Sequence, residues 1–182
     1  YSAGSNTGTS SPIVVTSLTN DTAATAKVWA INAYGTSAPS DASASFTPAQ
    51  LDIALFGTKA DKDIEKVTFS TLGNSADYGE LLHDEQDVAT CGNNVTAIFM
   101  GGSSFKIDIN SMTFATGGTA SDFGDLTIGR RYGAGLSNNT RGVMCGGNNS
   151  SDTNRIDYIT IASAGNATDF GDCVTRNDGG GQ

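Results

Sequence analysis

The sequence predicts an all-β protein built largely from one repeated unit, and three observations carry that expectation. An acidic, aromatic, glycine-punctuated phrase occurs three times, as "SADYGELL" from Ser75, "ASDFGDLT" from Ala120 and "ATDFGDCV" from Ala167. Between these phrases apolar residues alternate with polar ones or run in short bursts ended by glycine, the pattern of strands. Composition also changes abruptly along the chain. Of 23 glycines only Gly4, Gly8 and Gly35 precede residue 48, whereas Pro12, Pro39 and Pro48 all lie at or before it. The chain therefore divides at "FTPAQ" (Phe46 to Gln50) into residues 1–48 and 49–182.

In the first part, Ile13, Val14 and Val15 with Leu18 read as a short strand, and "TND" is a turn signal. Ala24, Ala26, Val28, Ala30 and Asn32 alternate with Thr25, Lys27, Trp29 and Ile31, a strand of period two. "NAYGTSAPS" is the next turn, and "ASASFT" is an edge strand ending at Pro48. Together these residues resemble the second half of a fibronectin type III domain. Ala30, Asn32, Gly35, Ser37, Pro39 and Ser40 match that family's phrase, while Ala24 stands where the family has a core tyrosine. The resemblance implies half of a β-sandwich.

The second part is a register of three repeats. Aligned on Tyr78, Phe123 and Phe170, the spacings are 45 and 47 residues. Asp77, Asp122 and Asp169 precede the aromatic, and Gly79, Gly124 and Gly171 follow it. Ile64, Ile109 and Ile156 correspond, as do Gly73, Gly118 and Gly165. Gly101-Gly102 and Gly146-Gly147 end an apolar run, with Phe56-Gly57 in their place in the first repeat. The repeats run over about 51–95, 96–140 and 141–182. A strand-only period of this length is the mark of β-propeller blades, in which each sheet buries its faces on its neighbours. The same inward residues must then recur, and a large aromatic at Tyr78, Phe123 and Phe170 is expected to be mostly buried between blades.

The order of features resembles the kelch repeat. Gly101-Gly102, Ile107 to Phe114, Phe123 and Arg130 follow it, as do Gly146-Gly147, Ile156 to Ile161, Phe170 and Arg176. Phe or Tyr replaces the family's tryptophan, and Ile98 and Val143 replace the tyrosine before the double glycine, so the repeats are kelch-like. The phrase G-x-A-[ST]-D-F-G-D-L-T is similar to repeat regions of bacteriophage tail fibres and other virion proteins, often beside fibronectin type III modules. The resemblance spans about Ser11 to Gln182 and implies a virion appendage.

Charge and motif content narrow the function classes. Ten Lys+Arg face 19 Asp+Glu, a net charge of -9, which is the wrong sign for neutralising nucleic-acid phosphates. No apolar window is long enough to span a bilayer, and "YSAGSNTGTSS" lacks a signal peptide's basic and apolar regions. Cys91, Cys145 and Cys173 form no C-x-x-C pair and read as small hydrophobes. In "DFGD" and "DYGE" the carboxylates either hold calcium or cap backbone N–H groups in a turn, and repetition in every unit favours the turn. His83, in "LLHDEQD", is the single histidine, which leaves little room for a triad or a His-based metal centre. No catalytic, cofactor or metal residue is therefore assigned, and no cofactor is expected. The residues singled out are structural: Tyr78, Phe123, Phe170, Asp77, Asp122, Asp169, Gly79, Gly124, Gly171, Gly102 and Gly147.

The expected function is a non-enzymatic structural and adhesive module of a bacteriophage virion. Partners would be other virion proteins, identical copies, and host-surface glycans met at loop tips such as "NNSSDTN". Three units do not close a ring, and the third stops at "RNDGGGQ", so completion by identical copies or by a longer polypeptide is expected. Two alternatives stand beside this reading: a secreted carbohydrate-binding or carbohydrate-active protein, and a bacterial cell-surface adhesin.

Overall fold

The computed structural model describes residues 15, 18, 22–46, 52–57 and 61–175. The chain is all-β, with a single 3-10 turn (Ser103–Phe105) among the described residues. It divides into two units, residues 1–51 and 52–182.

The first unit is a long hairpin. β1 (Ile31–Asn32) pairs antiparallel with β2 (Gly35–Thr36), and the Tyr34 amide donates to Asn32 Oδ1 at 2.9 Å to close the turn. Beyond it the two arms advance unequally. Ser37, Ser40 and Ser43 amides donate to the carbonyls of Ala30, Val28 and Ala26 at 2.8–2.9 Å. Three residues of one arm thus face two of the other, and the serine hydroxyls make up the missing acceptors. Ala30, Val28 and Ala26 amides donate to the Oγ atoms of Ser37, Ser40 and Ser43. Period-two alternation over 24–32 therefore does not yield a regular ladder, because the serines interpose their own hydrogen bonds. Trp29, Ile31 and Tyr34 are exposed; among the described residues no second layer covers the hairpin. The strand expected at Ile13 to Val15 lies outside the described residues, apart from Val15.

The second unit holds three four-stranded sheets. The first sheet comprises β3 (Ile53–Gly57), β4 (Asp63–Thr68) and β5 (Ala76–Glu80), with β9 (Gly118–Thr119) added parallel at the β5 edge. The second is the meander β6 (Ala89–Gly92), β7 (Thr96–Met100), β8 (Asp108–Thr113) and β10 (Ser121–Asp125). The third is β11 (Ala134–Ser137), β12 (Arg141–Cys145), β13 (Arg155–Thr160) and β14 (Thr168–Asp172). Each pair within a meander is antiparallel.

Two details of the sequence register are corrected. Gly57 pairs with Ile64 as Met100 pairs with Ile109 and Cys145 with Ile156, so Phe56-Gly57 correspond to Phe99-Met100 and not to the double glycine. The segment "DLTIGRRYGAGL", which reads in sequence as a further strand carrying glycines where neighbouring backbone comes close, is not one strand. Residues 126–133 form a loop, and the strand starts only at Ala134. That strand opens the next sheet, so the sheets are out of phase with the repeat boundaries by one strand. The third sheet is a full meander, and among the described residues β3 is paired on one side only.

Two apolar cores lie between consecutive sheets. Ile64 and Leu81 of the first sheet pack with Ala97, Phe99, Met112 and Ala120 of the second. Ile98, Met100, Ile109, Phe123 and Leu126 of the second pack with Met144, Ile159 and Ile161 of the third. Successive side chains on a strand point to opposite faces, so the second sheet supplies both cores with alternate residues. Each sheet thus has a front face toward the preceding sheet and a rear face toward the following one.

Candidate functional site

The repeated phrase encodes one local device, a β-bulge at its aromatic. In the second sheet Asp122 faces Asn110 and Gly124 faces Ile109, which leaves Phe123 as the extra residue. Tyr78 between Asp77 and Gly79, and Phe170 between Asp169 and Gly171, hold the same place. The carboxylate stabilises this turn of the chain. Gly124 N donates to Asp122 Oδ1 at 3.1 Å, and Gly171 N to Asp169 Oδ1 at 2.9 Å. Such local carboxylate–amide bonds are the usual work of Asp before glycine.

Glycine after the aromatic serves the contact between sheets. A Cβ on Gly79 would overlap the carbonyl oxygen of Gly118, and one on Gly124 would overlap that of Gly165. The backbone of each following sheet seats there. Ala120 N donates to Glu80 O and Ala167 N to Asp125 O, both at 2.7 Å. Around Gly171 there is open space, although its backbone is held at a φ of 135°. A Cβ on Gly102 or Gly147, at φ 141° and 104°, would overlap the Glu85 carboxylate and the Arg131 carbonyl oxygen respectively.

The three rings occupy equivalent places but differ in burial, contrary to the expectation that all are mostly buried. Phe123 is 6 % exposed, Tyr78 is half-buried and Phe170 is 56 % exposed. Each ring sits on a rear face, and the sheet that follows covers Tyr78 and Phe123. Tyr78 packs against the second sheet and its hydroxyl donates to the Phe114 carbonyl. Phe123 packs against Met144, Ile159 and Ile161. Phe170 meets Tyr158 edge-on at 5.8 Å and is otherwise largely open among the described residues.

Polar groups are buried at both contacts between sheets. Arg130 and Asp157 are 0 % and 1 % exposed and bond at 2.8 Å, Nη1 to Oδ2. Arg130 also donates to the carbonyls of Ile128 and Met144, while Thr127 donates its amide and hydroxyl to the Asp157 carboxylate. At the other contact the same repeat positions, 45 and 47 residues earlier, are Glu85 and Asn110. Asp87 and Tyr132, both at positive φ, hold this alignment through the loop. Glu85 is 2 % exposed, with Lys106 Nζ 3.6 Å from Oε1 and Ser103 Oγ 3.4 Å from Oε2. Burial pushes its carboxyl above the ordinary range, and Lys106 partly opposes that. Sequence reasoning missed the Arg130–Asp157 pair. Its signal was the exchange of Glu85 for Arg130 at one repeat position.

The remaining chemistry is sparse among the described residues. His83 and Asp84 are exposed while Glu85 is buried, so "HDE" does not converge on a pocket. No cluster of three metal-ligating side chains occurs among the described residues, and both DFG-phrase carboxylates named above are engaged by backbone amides. The three cysteines are free and partly buried. Burial pushes the Cys91 thiol up to about 12, and burial together with the neighbouring Cys173 raises Cys145, so both stay protonated and poorly nucleophilic. No described helix is long and apolar enough to cross a membrane. Arg176 and the "RNDGGGQ" segment lie outside the described residues.

One cleft of about 310 Å³ opens between the rear of the second sheet and the start of the turn after β13. Hydroxyls of Thr96, Ser111, Thr113, Thr116, Thr119 and Ser121 line it, over Phe123 and Ile161. Such a wall donates and accepts hydrogen bonds without a fixed charge, as suits a polyhydroxylated ligand. No protein-family model and no curated protein matches this chain.

Proposed function

We propose that this chain is a structural and adhesive module of a bacteriophage virion, a segment of a tail fibre or similar appendage that contributes to attachment at the host surface. Its second unit is read as kelch-like propeller blades and its first as part of a fibronectin type III-like module. The observation that carries this reading is the recurrence of the D-[FY]-G phrase as a bulge in all three sheets, with its glycine seating the next sheet at Gly79 and Gly124. Residues that would serve catalysis elsewhere are engaged here structurally, Arg130 with Asp157 between sheets and Asp122 with the Gly124 amide in its own bulge. Arrays of this kind place loops and clefts along a rigid frame for binding. The hydroxyl-lined cleft is the part that best suits host-surface glycans.

The test is immunogold labelling of phage particles with antibodies raised against the 182-residue chain, paired with binding of the purified chain to intact host cells. Label on an appendage, with cell binding competed by extracted envelope polysaccharide, is the expected result. Release of reducing ends from that polysaccharide by the chain would replace the adhesive reading with an enzymatic one.

A further inference from the structure

We propose that the open rear face of the third sheet is a docking surface for the front face of the first sheet of a second copy of this chain, producing head-to-tail self-association. This deepens the proposed assembly role and rests on it for the supply of several copies.

The molecule itself shows twice what covers such a face. On the front, Phe99 and Met112 of the second sheet are 1 % and 4 % exposed, and Met144 and Ile159 of the third are 0 % and 3 %. The equivalent residues of the first sheet are Phe56 and Val67, and beside them Phe69 stands where the second and third sheets carry Phe114 and Ile161. Phe56 is 39 % exposed and Phe69 is 70 % exposed. On the rear, Phe123 is buried, whereas Phe170 is open. Among the described residues the first sheet therefore presents an open apolar front and the third an open aromatic rear. Each is the partner type that the other meets inside the molecule.

The backbone is matched as well. Asp125 O accepts from Ala167 N, and Glu80 O from Ala120 N. By the same register Asp172 O would accept from the Ser75 amide of a second copy. Among the described residues β14 is paired only with β13, which leaves its other edge to receive that amide. The space beside Gly171, filled by a neighbouring carbonyl at Gly79 and Gly124, is the seat for the carbonyl of Gly73 in the second copy. Because the two surfaces differ, the contact is heterologous and builds a ring or a filament, not an isologous dimer.

Sedimentation equilibrium of the full chain and of two variants, Phe69→Asp and Phe170→Asp, tests this. Both side chains are exposed, so each variant should keep its fold, which circular dichroism verifies; Phe56→Ser and Phe170→Ser repeat the test with milder changes. The full chain should self-associate with concentration, and each variant should do so at least ~30-fold more weakly, as loss of a central aromatic anchor requires. Mixing Phe69→Asp with Phe170→Asp leaves one intact front and one intact rear. The mixture should form a one-to-one dimer and nothing larger. A full chain that stays monomeric at every concentration, or variants whose mixture forms no dimer, would overturn the proposal. No phage or host enters this experiment, so its failure leaves the labelling test unaffected.

Discussion

The two contacts between sheets share a backbone plan and differ in their buried polar groups. Both have an aromatic at a bulge, a glycine under a neighbouring carbonyl and an amide-to-carbonyl link at 2.7 Å. Between the second and third sheets the polar position holds Arg130, whose guanidinium is paired with Asp157 and two carbonyls. Between the first and second it holds Glu85, whose Oε1 accepts no hydrogen bond and has Lys106 at 3.6 Å. The repeat thus conserves geometry through backbone and glycine, while a side chain of either sign fits the same buried slot. What each sign requires is a different partner, and Arg130 has one or more on each of its Nη atoms.

Breaking the better-satisfied contact should have the largest effect. Arg130→Ala strands the Asp157 carboxylate and should cost about 3–5 kcal/mol in denaturant unfolding, whereas Arg130→Met with Asp157→Leu should recover most of it. A double variant as unstable as the single one would show that the guanidinium's packing, not its charge, matters.

The aromatics sharpen the comparison across all three sheets. Phe123→Ala should cost about 3–5 kcal/mol, since its ring is buried in the core. Phe170→Ala, at the same bulge but open, should change monomer stability by no more than about 0.5 kcal/mol. Equal losses at the two sites would contradict the role of the following sheet as the cover. Tyr78→Phe removes only the hydrogen bond to the Phe114 carbonyl and should cost about 1 kcal/mol.

The smallest effect is a pH slope at Glu85. Its carboxyl is raised by burial, so the folded chain holds that proton more tightly than the unfolded chain does. The stability linked to it is full below the ordinary carboxylate range and declines as pH rises toward the raised value. Glu85→Gln cannot ionise and should lack this decline. Melting temperatures of variant and native chain should therefore diverge in the variant's favour as pH rises above about 4. Curves that stay parallel would show that Lys106 offsets the burial.

Much of this architecture is written in periodicity. Strand-type alternation and glycine-ended runs specify β structure because each needs only local backbone preference and one buried face. The spacing of Tyr78, Phe123 and Phe170 marks equivalent positions for the same reason. The bulge at that aromatic was not legible, since an extra residue in a ladder depends on the register of a strand elsewhere in the chain. In the first unit, Ser37 and Ser40 read as turn residues and Ser43 as part of an edge strand, yet their hydroxyls rewrite the pairing with residues 26–30.

By itself the sequence determined that the chain is all-β, that one phrase recurs at 45 and 47 residues, and that glycine follows its aromatic each time. Tertiary structure alone decided which strand joins which sheet, shifting the sheets one strand from the repeat. It also decided that Phe123 is covered while Phe170 is open, and that Arg130 meets Asp157. Strand propensity and turn chemistry act over a few neighbouring residues, so they can be read along the chain. Burial and charge pairing depend on what the next sheet brings across the gap, and no local stretch carries that information.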